Sequence, residues 1–329
     1  MTRYRQVVIT LPFALRFWCA TNRALFSKVH QTIKEALQRK LKSKAEETGI
    51  KKPATGFITF VPNWNSALAL SPHFHILVMD AAFDKAHHQD PIPRRLGEWK
   101  SIDLEEIIHE IVVKIVKHLQ KKGYLNEHEE AASNPPLDEL FADHEDLANA
   151  LGSSLHNRRP IGKGATGSVT KIGKGFGYWE EDPVKKGRLC LSQNGFTIHA
   201  SRVIKTLNRR GLEDLISYMA RPAISTERLT QMDNGNIRYS LKKQWQDGTT
   251  AAEFTPMEFL SRLAALVPPP FMNMIKYAGI FSPNHPMRSK VLPNPDARKG
   301  LKAKCPHTDV EETERKKVKN TCRSRKLKM

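Results

Sequence analysis

Ser71-Pro72-His73-Phe74-His75-Ile76-Leu77-Val78 is the stretch on which the reading of this chain turns. Its β-branched and aromatic residues, bounded by a proline and by Asp80, predict a strand over Pro72 to Asp80. Alternate side chains of a strand share a face, so His73 and His75 project together while Phe74 turns the other way into a core. Two neutral imidazoles side by side make half of a metal site. A third side chain from another element would complete it for a divalent ion and leave positions open to phosphate oxygens. Taken alone, the tripeptide is equally at home as a structural or surface pair.

Outward from this strand the pattern predicts a sheet flanked by helices. Gly56 to Val61 (GFITFV) reads as an antiparallel partner, and Gln6 to Leu11 (QVVITL) as a further buried strand. Asn22 caps a long helix with Leu25, Val29, Ile33, Leu37 and Leu41 at helical spacing, its opposite face basic. Asp103 to Gln120 forms a second amphipathic helix, with Asp103 and Glu106 in capping-box spacing. Its His109-Glu110 is no metalloprotease motif, because the position of the second histidine is Val113. Residues 126–186 turn acidic and then glycine-rich, and read as an insertion or mobile basic loop. Regular pattern resumes at Gly187, with strands near Arg188 to Leu191 and Phe196 to Ser201 and a helix near Leu207 to Met219, stopped by Pro222. Arg238 to Lys242 and Ala251 to Phe254 predict another strand pair, and Pro256 to Leu266 a helix. The expected fold is α+β, a central antiparallel sheet carrying His-Phe-His. Residues 1–125 and 187–295 supply its two halves, and residues 296–329 a basic flexible tail.

Composition fixes the class of partner. With 53 lysines and arginines against 34 acidic residues the formal charge is +19, a field suited to nucleic acid. The stretch from Arg298 onward carries a net +8 with few large apolar side chains, too few to order it by burial. No apolar run approaches the roughly 20 residues of a bilayer span, and Met1-Thr2-Arg3-Tyr4 opens no signal-peptide pattern, so a cytoplasmic protein without a membrane partner is expected. The four cysteines include no C-x-x-C pair, which argues against a zinc ribbon or a disulfide framework.

Several separate blocks in order carry a family resemblance: RQVVITLPF (Arg5 to Phe13), SALALSPHFHILVMDAAF (within Phe57 to Phe83), GFTIH (Gly195 to His199), SYMARPAISTERL (within Leu212 to Leu229), and LAALVPPPF with IKYAGIF (Leu263 to Phe281). On these blocks the chain resembles the HUH superfamily, named for histidine, a bulky hydrophobic and histidine. Within it, the chain is similar to the rolling-circle transposases of bacterial insertion sequences and their common-region relatives. The resemblance implies a tyrosine nucleophile that nicks and rejoins single-stranded DNA at element ends through a 5′-phosphotyrosyl link, with Mg or Mn polarising the phosphate. The matching tyrosine is Tyr218, followed by Arg221, which would hold or neutralise the phosphate. A phenol with a reference pKa of about 10 needs such help at neutral pH. Relatives with two tyrosines space them four residues apart, whereas position 214 here is Asp214, so a single-tyrosine mechanism is implied. Family members commonly carry a cysteine-rich segment before the first strand; this sequence starts after it, as a truncated copy or a split reading frame would. For the third metal ligand His199 is preferred to Asp80. Trp64, near the histidines, is the aromatic candidate for stacking on bases. The same site would equally serve a replication initiator or relaxase, and a non-catalytic DNA-binding remnant would keep only the charge.

Gly162 to Val169 (GKGATGSV) fits the glycine loop of kinases, but no H-R-D or D-F-G follows it and no hydrophobic strand precedes it. No nucleotide cofactor is therefore expected. Arg158, Arg159, Lys163, Lys171 and Lys174 make this segment a candidate DNA-backbone contact instead.

Overall fold

The computed structural model describes residues 2–66, 68–84, 91–126, 131–132, 136, 138–155, 183–242 and 250–292. Met1–Arg288 forms one compact unit; of a second, Ser289–Met329, residues 289–292 are described.

The first strand, β1 (Tyr4–Thr10), leads into the helices α1 (Phe13–Thr21) and α2 (Arg23–Glu47). Asn22 caps α2, its side chain accepting from the Leu25 N–H at 2.8 Å. Then come β2 (Pro53–Ala54), β3 (Gly56–Phe60), β4 (His73–Met79), β5 (Ala81–Asp84), β6 (Arg94–Arg95) and α3 (Ser101–Lys121). Within the stretch read from sequence as one insertion lie two helices, α4 (Glu139–Ala142) and α5 (Glu145–Leu155). Phe141, Leu151 and Leu155 are buried in the main core, which is why this part is ordered although its polar flanks suggest a loop. The chain continues through β7 (Val184–Gly187), β8 (Cys190–Gln193), β9 (Phe196–His199), β10 (Val203–Ile204) and α6 (Arg209–Ala220). Last are β11 (Leu229–Gln231), β12 (Ile237–Ser240), β13 (Ala251–Phe254), α7 (Pro256–Leu266), β14 (Ile275–Gly279) and α8 (Arg288–Val291).

An eight-stranded sheet organises the molecule, in the order β14-β3-β4-β1-β9-β8-β7 with β10 also paired to β1. Every pairing in it is antiparallel. The fold is thus α+β with helices flanking a central antiparallel sheet. β8 and β9 are joined by Asn194-Gly195, both at positive φ, the backbone that a two-residue hairpin with right-handed twist requires.

The period of two divides the sheet into unlike faces. One carries Val7 and Ile9, Phe57, Phe74, Ile76 and Val78, Leu191 and Ile198, all buried against Phe26, Ile33 and Leu37 of α2 and Ile107, Ile111 and Ile115 of α3. Each large side chain so buried contributes about 1.5–3 kcal/mol. α2 and α3 are also tied by Lys44 and Lys40, 2.8 and 3.0 Å from the Asp103 carboxylate. Asp103 is not the cap that its spacing predicts; it sits at the third helical position and accepts from the Lys100 N–H at 2.7 Å. The opposite face is covered in part by α6, whose Leu215 and Met219 pack on Phe60, Leu77 and Ile204. A small sheet, β11-β12-β13, packs with α7 around Tyr239, Phe254, Phe259 and Leu266.

Candidate active site

His73 and His75 emerge on the face that α6 covers only partly. β4 pairs along all of β1, with His73 opposite Thr10 and His75 opposite Val8. The imidazoles meet edge to face with their Nε2 atoms 3.1 Å apart. His73 Nδ1 lies 2.6 Å from the Ser71 carbonyl, and His75 Nδ1 lies 3.0 Å from the side-chain amide nitrogen of Gln6. Burial lowers the pKa of both rings. The charges of Arg16 and Arg221 add to this at His73, against the Ser71 carbonyl. For His75, burial and then His73 and Arg221 push the value down to about 3. Both imidazoles are therefore neutral at neutral pH, the form that binds metal. The donor set fits a divalent ion, since two nitrogens each about 2.1 Å from one ion stand roughly 3.0–3.4 Å apart. His73 and His75 would be its ligands.

Tyr218 comes to this pair from α6. The apolar positions Leu215 and Met219 bury one side of the helix, and Tyr218, adjacent in sequence but turned about 100° away, stays 37% exposed over the histidines. Its ring stands edge-on to His75 at a centroid distance of 5.8 Å. Arg221, just past the helix end, places its guanidinium carbon 4.8 Å from the Tyr218 ring centroid, and Lys242 its ammonium at 5.5 Å. A cleft of about 340 Å³ joins these groups, lined by Thr10, Trp64, His73, His75, Tyr218 and Arg221 among others. It brings together two neutral imidazoles, a phenol hydroxyl and fixed positive charge.

His199 does not join them. It faces the same side of the sheet, but β1 intervenes: Val8 pairs with His75 on one side and with His199 on the other. Two strand spacings of about 4.8 Å separate the histidines, and His199 Nε2 is engaged by Ser201 Oγ at 2.7 Å. Asp80 is fully buried on other business, held by Arg3, Arg5 and the Trp99 indole. Among the described residues no three or more of His, Cys, Asp and Glu are grouped to hold a metal. Asp214 is exposed one turn before Tyr218. Arg158, Arg159, Lys163, Lys171 and Lys174, with the glycine loop between them, lie outside the described residues. Gln6, Arg16 and Lys242 carry no local motif; Gln6 approaches the histidines through strand register, while Arg16 comes from α1 and Lys242 from beyond β12.

A strand-borne histidine pair thus faces a tyrosine and an arginine across one cleft. Residues 56–289, more than half of the chain, match the family model described as "Putative transposase". The chain belongs to this transposase family, a family of DNA-processing enzymes. No curated protein and no solved structure matches it. No helix among the described residues is long and apolar enough to cross a membrane.

Proposed function

We propose that this transposase nicks and rejoins single-stranded DNA at element ends through Tyr218, in rolling-circle transposition. The observation that carries this reading is the edge-on approach of Tyr218 to His75, 5.8 Å between ring centroids, inside a cleft that also holds Arg221. The Tyr218 oxygen attacks phosphorus as the bond to the 3′ oxygen breaks, giving a 5′-phosphotyrosyl link and a free 3′-OH. The proton lost by the phenol is balanced by the one the leaving oxygen gains. His73 and His75 would hold Mg or Mn, which would supply Lewis-acid polarisation of the scissile phosphate. Arg221 neutralises charge on the phosphate oxygens. Trp64, half-buried on the cleft wall, offers a ring for a neighbouring base. Rejoining is the same exchange run in reverse by a 3′-OH.

The test is incubation of labelled single-stranded end sequences with Mn or Mg, followed by denaturing electrophoresis. A covalent protein–DNA adduct in the wild type, absent from Tyr218→Phe and from His73→Ala/His75→Ala, supports the assignment. An adduct that survives Tyr218→Phe means another nucleophile.

A further inference from the structure

Phe271 is the most exposed large apolar side chain among the described residues, at 88%. Its backbone is strained as well, with φ at +61° in the left-handed region that bulky residues avoid. A turn imposes that angle. The Met272 N–H donates to the Pro269 carbonyl at 3.3 Å, so Phe271 holds the third position of a four-residue turn behind Pro270, where glycine is the ordinary choice. Pro268, Pro269 and Pro270 stiffen the approach from α7, and Met272 and Met274 pack on the main core on the far side. The ring is thus held out into solvent on a stiff, anchored loop. Folding gains nothing from the exposure and loses by the strain, a combination found where a residue is set to meet a ligand.

The loop joins the sheet at the end where the cleft opens. The Met274 carbonyl accepts from the Val61 N–H at 2.9 Å, and the next residue, Pro62, lines the cleft and accepts from the His73 N–H at 3.2 Å. Three residues of chain keep Phe271 within roughly 11 Å of Met274. The ring is met there by a cation, the guanidinium carbon of Arg23 standing 5.9 Å from its centroid. Arg16 on α1, whose charge acts at His73, and Arg23, the first residue of α2, carry positive charge from the cleft toward Phe271. A flat apolar face beside a guanidinium suits a partner that combines bases with phosphates.

We propose that Phe271 and Arg23 form a second subsite for single-stranded DNA outside the cleft, the ring stacking on one base and the guanidinium holding an adjacent phosphate. This rests on the single-stranded substrate proposed above and adds the path of the strand beyond the cleft. Alanine or leucine at 271 removes the π face, tyrosine keeps it, and glycine relaxes the turn while removing the platform.

The experiment is fluorescence anisotropy of the full chain in EDTA with a dye-labelled single strand of mixed sequence and an abasic strand of the same length, alongside thermal melts and light scattering. Phe271→Ala and Phe271→Leu should weaken binding of the base-bearing strand about 5–150-fold, the range for one stacked base, and Phe271→Tyr should restore it. On the abasic strand all of these should bind as wild type does. Arg23→Ala should weaken both strands alike and reduce the salt slope by about one. Phe271→Gly should keep the wild-type Tm and lose affinity as Phe271→Ala does, which separates binding from folding. Phe271→Leu binding like wild type, or Phe271→Ala losing as much on the abasic strand, overturns the stacking role. So does a wild-type dimer that Phe271→Ala separates with DNA affinity unchanged, since the ring would then cover a second copy. A wild type that binds neither strand overturns the substrate reading itself, a failure that no variant is needed to recognise.

Discussion

Buried polar groups stand at both ends of β4, and they are finished in opposite ways. Past its C-terminal end Asp80 is closed off: Arg3 and Arg5 lie at 3.2 and 3.4 Å, and the Trp99 indole donates at 2.9 Å. Arg5 also donates to the Ala200 carbonyl at 2.6 Å. At the other end, among the described residues, no carboxylate lines the cleft of His73 and His75. Their neighbours are cations, Arg16 and Arg221, and the rings open on a cleft. A cluster whose charges are paired holds strands together, whereas one with surplus positive charge suits a ligand that brings negative charge, as phosphate does.

Predictions follow from removing one group at a time from each end. The largest effect is expected of Tyr218→Phe, which should lower adduct formation by at least about 10³-fold while shifting stability by less than about 0.5 kcal/mol, because only a part-exposed hydroxyl is lost. Denaturing gels and thermal melts measure the two quantities. A large loss of stability would mean that Tyr218 belongs with the structural cluster. Next is Asp80→Ala, which strands two guanidinium groups, one of them buried, and should cost about 3–5 kcal/mol, roughly 6–15 °C in Tm. Adduct yield per folded molecule should be unchanged below the transition. If activity fell while Tm held, the contrast between the two ends would be broken.

Arg221→Ala comes third. With its guanidinium 4.8 Å from the Tyr218 ring, its loss should slow adduct formation about 10–100-fold, with Arg221→Lys recovering part of the rate. Single-turnover kinetics check this, and equal rates for all three proteins would leave Arg221 as a helix-end residue only.

The two ends were unequally legible in the sequence. His73, His75 and Phe74 announce a two-faced strand through period alone, β13 and α7 stand where the pattern puts them, and β12 overlaps its expected span. Tyr218 and Arg221 are visible only through the family blocks, since a tyrosine near a helix end is ordinarily packing. Gln6 was invisible, because its contact with His75 depends on β1 pairing with β4 in one particular register. His199 misleads for the same reason. A strand histidine near the tyrosine helix reads as convergent until β1 is seen to lie between it and His75. The order α5 brings to residues 145–155 was hidden by the acidic and glycine-rich sequence around it.

His30 provides the subtlest test, because it is a buried histidine with one ring nitrogen left unpartnered. It lies on α2 beneath the covered face, its ring 6.0 Å from Phe74 and its Nε2 buried with no hydrogen-bond partner. Burial first, with Lys276 and Lys34 adding to it, pushes its pKa down to about 3. Since the folded value is below the ordinary one of about 6.5, nothing is lost above pH 6.5, where both states are neutral. Below it the unfolded chain binds the proton first, and stability falls by up to about 1.4 kcal/mol per pH unit until pH approaches 3. At pH 5.5 this one ring should therefore cost about 1.4 kcal/mol. Urea melts at pH 7.5 and 5.5 on wild type and His30→Gln should show a shallower loss in the variant, while adduct formation at pH 7.5 is unchanged. If His30→Gln instead abolished the adduct, incompleteness alone would mark function, and the opening of a cleft onto His73 and His75 would lose its diagnostic value.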